Sequence, residues 1–323
     1  MITLIANPSS RSGRGKRLWP LWCDMLQRSA LPFDICTSTS REDCEKKARN
    51  AVIAQDAPVT AVGGDGTINA VISGVMSEAP DVPAEKRIHL GVLYAGTSPD
   101  FCRFHAIPTE PEAAMRTLLA GVSRLIDITA VSFACPVVDK ADESVAMEGF
   151  FASSCNIGLG AATAAFANTF RTFFGDTIGT GLGLAKAMLT HRPFDCRLMI
   201  DGEPKTFAGV NHVIILKNPH IASGLRVNLP ALPDDGFLHA VVIYGHTRLG
   251  LLGLMRALYR GGWSERPGIF VRQCRGIAVE TTPVQEVEYD GDPRGRTPVH
   301  ATLLPKALPV VCDISRGEGS ARN

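Results

Sequence analysis

The residues with the clearest chemical capacity are Gly63-Gly64-Asp65-Gly66-Thr67, with Asn69 two positions on, lying between the apolar stretch Val59 to Val62 and a helical pattern. A phosphate needs a backbone that can approach closely with free N–H groups, and glycines at a helix N-terminus supply both. Asp65 in such a loop would orient a magnesium ion or a water network, and Thr67 would cap the helix and offer a hydroxyl. A ligand-free strand-to-helix turn is the plainer alternative, although three glycines in four positions exceed what a turn requires.

Two further loops have the same small-residue character. Ala6-Asn7-Pro8-Ser9-Ser10-Arg11-Ser12-Gly13-Arg14-Gly15-Lys16 follows the first apolar run, and Tyr94-Ala95-Gly96-Thr97-Ser98-Pro99-Asp100-Phe101 follows the fourth. In an open parallel sheet, ligands sit outside the carboxyl ends of the strands, so three such loops converge on one crevice. Arg14 and Lys16 could neutralise phosphate charge there, or could be solvated cations at a helix start. Other nucleotide fingerprints fail. Lys16 lacks the upstream glycine of a P-loop, and Gly158-Leu159-Gly160 has Thr163 where a dinucleotide fingerprint has its third glycine.

The elements that position these loops follow from the apolar pattern. Ile2 to Ala6, Phe33 to Thr37, Val59 to Val62 and Ile88 to Leu93 read as strands; Lys16 to Arg28, Glu42 to Gln55 and Glu112 to Leu119 read as helices. This is the rhythm of an α/β domain with a parallel sheet. From Leu125 onward β-like runs dominate, at Leu125 to Phe133, Gly149 to Cys155, Cys196 to Ile200, His212 to Lys217, Leu238 to Ile243, Ile277 to Glu280 and Pro298 to Leu303. Asp201-Gly202, Asp235-Gly236 and Asp290-Gly291 punctuate them with two-residue turn chemistry, and we expect an antiparallel β-sandwich. Helices at Ala161 to Phe174, Leu182 to Thr190 and Leu249 to Tyr259 interrupt it. The expected domains are 1–124 and 125–304, with a polar, disordered tail at 316–323.

The chain has 323 residues, 45% hydrophobic and 20% charged, with a formal net charge of +1. That length holds two cores, and the charge balance gives no field to draw nucleic acid. Nine scattered cysteines without a CxxC pair suit reduced thiols in a cytoplasmic protein, and Cys102 with His105 lacks the second ligand pair of a zinc site. No apolar run approaches the roughly 18 residues that span a bilayer.

The ordered set Asn7-Pro8, Gly63-Gly64-Asp65-Gly66-Thr67 with Asn69, Gly96-Thr97 with Asp100-Phe101 and Arg103, Asn156-Ile157-Gly158-Leu159-Gly160, Asp234-Asp235-Gly236 and Asp290-Gly291-Asp292 resembles the diacylglycerol kinase-like and sphingosine kinase-like lipid kinases over nearly the whole chain. The resemblance implies a phosphofructokinase- and NAD kinase-like nucleotide domain and a β-sandwich domain, with ATP in the cleft between them. It also implies that Pro305 to Asp313 returns to the first domain. Gly63 to Thr67 looks like the phosphate cradle, with Asn7, Asn69, Gly96 and Thr97 lining the nucleotide site. A magnesium site would use Asp235 and carbonyls around Leu232 and Phe237. The catalytic base would be Asp290, placed to accept the proton of an attacking hydroxyl, with Asp65 as the second catalytic carboxylate. Taken alone, Tyr289-Asp290-Gly291-Asp292 is equally an ordinary two-residue hairpin turn.

Three positions depart from the family pattern: Pro99 replaces an asparagine, Ala70 a glutamate, and Asp292 the glutamate of the late motif. For the acceptor, Phe166, Phe170, Phe173, Phe174, Leu182, Leu184, Met188 and Leu189, with Arg171, Lys186 and Arg192 between them, suit a helix pair that shelters an acyl chain or touches a membrane, or else ordinary core. The expectation is a cytoplasmic, peripherally membrane-associated enzyme using Mg-ATP, compatible with a homodimer. An NAD kinase and a turnover-deficient nucleotide- or lipid-binding regulator are the alternatives.

Overall fold

A computed structural model describes residues 1–7, 14–29, 31–54, 58–78, 82–137, 140–221, 225–259 and 266–317. Four short strands open the chain: β1 (Ile2–Ala6), β2 (Phe33–Thr37), β3 (Val59–Gly63) and β4 (Leu90–Tyr94). They pair in parallel in the order β2-β1-β3-β4. Every residue of β1, β3 and β4 is buried, the pattern of strands covered on both faces, whereas β2 is the partly exposed edge. On one face, Leu4, Val62 and Leu93 meet Trp22 and Leu26 of α1 (Arg14–Arg28). On the other, Ile5 and Ala61 meet α2 (Arg41–Ile53) and α3 (Asp65–Ser77).

Helix α3 is buried continuously from Thr67 to Met76, and its few polar positions in that stretch, such as Asn69 and Ser73, meet Arg41 inside the protein rather than solvent. It crosses α2 so closely that a Cβ on Gly74 would collide with the Glu45 carbonyl oxygen and the Ala48 side chain. Two more helices complete this half: α4 (Asp100–Phe104) and α5 (Pro111–Ala120), the latter started by Pro111 and stopped by Gly121 in the left-handed region.

The second half contains β5 (Ser123–Val137), β6 (Lys140–Phe151), β7 (Ser154–Gly158), α6 (Leu159–Thr190), β8 (Phe194–Ile200), β9 (Glu203–Leu216), the short pair β10 (His220–Ile221) and β11 (Leu225–Arg226), β12 (Leu238–Tyr244), α7 (Arg248–Tyr259), β13 (Ile269–Cys274), β14 (Gly276–Thr282), β15 (Glu286–Tyr289), β16 (Asp292–Val311) and α8 (Ile314–Gly317). Instead of two facing sheets, β9, β7, β15, β16, β14 and β8 close an antiparallel ring, with Ile157, Leu198, Val213, Val287 and Val299 inside. Period-2 alternation, as in the buried-exposed pattern of β8, is shared by sandwiches and barrels and does not separate them.

Strand β16 runs through the expected boundary at Leu304 and Pro305. Its register shifts between Arg296 and Val299 and between Leu304 and Leu308 accommodate Pro298 and Pro305. Its end lies parallel to β4, with Val310 opposite Leu90, and Leu308 and Val310 enter the core beneath the first sheet.

The two helices expected after Gly160 form one helical run that doubles back. A Cβ on Gly183 would lie 2.5 Å from the Ala167 amide nitrogen, and the Lys186 ammonium stands 4.4 Å from the Phe166 ring centroid. A straight helix would hold residues sixteen apart at about 24 Å. Residues 8–13 of the first loop, the tail 318–323, and the side chains of Arg171, Phe173 and Phe174 lie outside the described residues. Residues 316 and 317, placed in the tail from sequence, close α8.

Because Gly74 sets the spacing of the helices that carry Arg41 and the glycine loop, Gly74→Ala is expected to destabilise the fold by roughly 1–3 kcal/mol, as overpacked cores do. A denaturant melt with an unchanged midpoint would refute that spacing role.

Candidate functional site

Gly63 ends β3 and Gly64 caps α3, so the N–H groups of the first helical turn open at the carboxyl edge of the sheet. A Cβ on Gly63 would collide with the Thr67 hydroxyl, which therefore supports the loop from beneath; Thr67 itself is buried. The neighbouring loop packs directly on this one. A Cβ on Gly96 would lie 2.5 Å from the Tyr94 hydroxyl and 2.8 Å from Gly64 Cα. The Ala95 amide donates to the Gly63 carbonyl at 2.8 Å, and the Asn7 amide donates to the Val62 carbonyl at 3.2 Å. The ends of β1, β3 and β4 thus come together with Asn7, Gly63, Gly64, Gly96 and Thr97 on one edge. Gly66 and Thr97 are exposed there, and Arg14 and Lys16 open α1.

Asp65 is the first residue of α3. Its Oδ2 accepts from the Tyr94 hydroxyl at 2.8 Å. Burial pushes its carboxyl up to about 7; Asp100 and Asp290 add to the rise, while the Tyr94 hydroxyl and the Phe101 amide oppose it.

Asp290 does sit in a two-residue hairpin turn, between β15 and β16, with φ 48 at Asp290 and 92 at Gly291. Its carboxylate nevertheless reaches across the molecule. Oδ1 accepts from the Ser153 and Ser154 amides at 3.0 and 3.1 Å, and Oδ2 accepts from the Ala152 amide at 3.1 Å and Asn69 Nδ2 at 2.7 Å. Burial raises its pKa, and these same four donors oppose the rise. Two oxygens with four bonds have no in-plane lone pair left for an incoming proton. The geometry therefore gives Asp290 a task other than the expected one of base: it ties the hairpin to β7 and α3.

Asn69 is likewise committed inside the protein. It donates to Asp290 and to the Phe150 carbonyl at 2.9 Å, and its Oδ1 accepts from Arg41. Its side chain bridges the two halves and has no amide group spare for a nucleotide.

The carboxylate that faces the glycine loop is Asp292. A Cβ on Gly66 would lie 3.6 Å from Asp292 Oδ2. Its side chain is 42% exposed between Arg41 Nη1 at 3.6 Å and Arg294 Nη2 at 3.1 Å. Both pairs use Oδ2, which leaves Oδ1 open. Arg41 and Arg294 escaped the sequence reading because each stands alone in sequence. They are mostly buried, and Arg41 Nη1 and Arg294 Nε, both shut off from solvent, have no hydrogen-bond partner, so two guanidinium charges stand beside the loop with part of their donor capacity unused.

Asp235, expected to ligate magnesium, faces a lysine. Its Oδ1 receives Lys217 Nζ at 2.7 Å and the Phe237 amide at 3.0 Å, and its Oδ2 receives the Leu232 amide at 2.7 Å. Leu232 and Phe237 thus turn amides toward it, and the residues present do not fit a metal at this point. Among the described residues no cluster of three or more His, Cys, Asp or Glu side chains could hold a metal ion. The Gly158-Leu159-Gly160 turn is packing: Gly158 has φ 86 and leaves no room for a Cβ against Phe194, and a Cβ on Gly160 would collide with His212.

This fold and site define a protein of two halves, with a glycine-rich loop at a parallel sheet edge and an acid-bearing hairpin contributed by a β-barrel. Residues 1–131 match the diacylglycerol kinase catalytic domain, and residues 153–312 match the YegS C-terminal NAD kinase beta sandwich-like domain. The chain is 25% identical over 271 residues to "Putative lipid kinase SERP0390" of Staphylococcus epidermidis, covering 82% of this chain and 80% of the relative. It is 24% identical to the uncharacterized protein sll0036 of Synechocystis, covering 96% of this chain and 70% of that one. A crystal structure from Bacillus anthracis, described as a "putative diacylglycerol kinase", superposes with a TM-score of 0.75 at 18% identity, over 97% of this chain and 95% of that one. The chain belongs to the diacylglycerol kinase-like lipid kinase family, whose members are phosphotransferases.

Two outcomes follow from the carboxylates. Asp290→Asn would set an amide NH2 against backbone N–H donors, and is expected to destabilise by roughly 1–3 kcal/mol for each amide left unpaired, read as a lower thermal midpoint. An unchanged midpoint would deny the clamp. If ionised Asp65 is needed for turnover, kcat/KM for the nucleotide falls as pH drops below about 7. Tyr94→Phe removes a bond that favours the ionised form, so the acidic limb moves to higher pH; a limb that stays put would separate it from Asp65.

Proposed function

We propose that the protein is an ATP-dependent lipid kinase that transfers the γ-phosphoryl group of Mg-ATP to a hydroxyl of a diacylglycerol-like membrane lipid. The observation that carries this reading is the approach of Asp292, on a hairpin of the barrel, to Gly66, in the glycine loop at the N-terminus of α3. A helix N-terminus and close-packed glycines favour a polyphosphate on one side, and an open carboxylate oxygen waits on the other.

In this reading the phosphates lie along Gly63 to Thr67 and Gly96-Thr97, with Asn7 lining the site and Arg14 and Lys16 supplying charge at the start of α1. Asp65, at the start of α3, would be the carboxylate to hold a magnesium ion brought in with the nucleotide, which would neutralise phosphate charge when bound. The acceptor oxygen attacks the γ-phosphorus, the bond from that phosphorus to the bridging oxygen breaks, ADP leaves, and the acceptor proton passes to Asp292 Oδ1. Arg41 and Arg294 stand where negative charge spreads over the transferring group. Asp292 takes the role first given to Asp290, because Asp290 is saturated and Asp292 is open.

An apolar acceptor is supported by the surface around the barrel's helices. Leu189 of α6 is 70% exposed, and Leu249 and Leu252 of α7 are 80% and 52% exposed. Arg248 reaches the His191 carbonyl at 3.4 Å and so brings these helix ends together. Exposed leucines bordered by cations are suited to a membrane interface, which favours peripheral association. Among the described residues no helix is long and apolar enough to cross a membrane.

Labelled γ-phosphate transfer from Mg-ATP to diacylglycerol, sphingoid bases and NAD tests the reading directly. Lipid product is expected, falling at least about 100-fold in Asp292→Asn, as loss of a general base does, with nucleotide affinity kept. Product on NAD alone would replace the reading with an NAD kinase; full activity in Asp292→Asn would remove that residue from proton transfer. Replacing Leu249 and Leu252 together by Asp is expected to abolish binding to anionic vesicles while sparing turnover of a short-chain, water-soluble acceptor. Unchanged vesicle binding would put the membrane contact elsewhere.

A further inference from the structure

The Lys217 side chain is fully buried, yet it carries a charge and lies in a cage of oxygens. Its Nζ is 2.6 Å from Asp127 Oδ2, 2.7 Å from Asp235 Oδ1 and 3.2 Å from the Phe237 carbonyl oxygen. An ammonium has three donors, and these three oxygens take them all. The other faces of the carboxylates are also satisfied. Asp127 receives the Gly236 amide on Oδ2 and the Lys306 amide on Oδ1, each at 2.8 Å, and Asp235 receives the Leu232 and Phe237 amides. Three oxygens on the ammonium and four amides behind the carboxylates, drawn from β5, β16 and the 231–237 loop, thus close around the one cation that follows β9. A buried charge is tolerated only when paired and hydrogen-bonded in this way.

The cage also connects to the candidate site. The backbone amides of Lys217 and Asn218 both donate to the Ser153 carbonyl, at 2.8 and 3.0 Å, and the Ser153 amide is one of the donors on Asp290. Asn218 Nδ2 reaches the Asp100 carbonyl of α4 at 3.0 Å. Whatever cation fills the cage therefore fixes the backbone that holds the hairpin and the third loop.

We propose that Lys217 is the resident cation of this junction, in the place where the acidic Asp234-Asp235-Gly236 segment suggests a divalent metal. The folded protein accordingly needs no metal of its own, and a divalent ion enters only with the nucleotide. Two carboxylates, a carbonyl and a cation-sized space would become a metal site if the lysine stem were removed.

The test uses the full chain without nucleotide, so that it reads independently of kinase activity. Wild-type protein is expected to melt at the same temperature in EDTA, Mg²⁺ and Ca²⁺, and to bind no Mn²⁺ at this cage by electron spin resonance. Lys217→Ala is expected to melt lower in EDTA and to regain several degrees with Mg²⁺ or Mn²⁺, while Lys217→Met, which keeps the volume without the charge, is not rescued. A wild-type midpoint that rises with Mg²⁺, together with bound Mn²⁺ that is lost in Asp235→Asn, would overturn the proposal; so would a folded Lys217→Ala variant that no divalent ion stabilises. Should Lys217→Ala fail to fold, the wild-type melts and Mn²⁺ titration decide alone, with metal independence upholding the proposal and an Asp235-dependent Mn²⁺ site refuting it.

Discussion

One carboxylate with four donors governs the geometry of this molecule. Asp290 sits at the tip of a hairpin, where an exposed acidic side chain would ordinarily do no more than solvate a turn. Here the turn folds inward, and the backbone amides of 152–154 and the side chain of Asn69 converge on it. Hydrogen bonds to a charged group contribute roughly 1.5–3 kcal/mol each, and leaving such a group unpaired in a buried place costs more. The clamp therefore has one low-energy arrangement, in which Asn69 of α3, the 152–154 turn and the hairpin are held together. Asp292 follows two residues after Asp290 and is delivered to Gly66 as a consequence.

The clamp works because the two halves share a strand. β16 closes the barrel ring at one end and extends the parallel sheet at the other, so the hairpin at its start and the strand beside β4 at its end belong to one rigid element. The core beneath the first sheet takes in residues of β5 and β16 as well as of α3. Loops built on the edge of one domain and an acid built on the turn of the other then meet without a flexible linker between them. Sites assembled in this way suit phosphoryl transfer, in which positioning and charge placement supply most of the rate.

The first half was legible in the sequence because fully covered parallel strands leave continuous apolar runs, and because the loops at their ends pack so closely that a Cβ on Gly96 would collide with Tyr94 and Gly64. The ring closure was not legible, since alternation records which face is buried and not whether the sheet returns to itself. Asn69 and Asp290 were found as motif residues but given ligand contacts, when tertiary partners more than eighty residues away in sequence consume their hydrogen bonds. Arg41 and Arg294 gave no signal at all, being single cations outside any motif. Lys217 did leave one: a lysine ending the apolar run His212 to Lys217, and followed by Asn218 and a proline, is an unusual close to a buried strand and asks for a carboxylate.

The central claim is that a nucleoside triphosphate occupies the edge where β3, β4 and α3 meet, opposite the barrel hairpin. Amide hydrogen exchange of the whole chain with and without Mg-ATP measures this directly. The account predicts added protection over residues 63–67 and 94–97 and at the hairpin around 290–292, with no change over the lysine cage at 231–237. Protection confined to the barrel, or absent from the glycine loop, would contradict it.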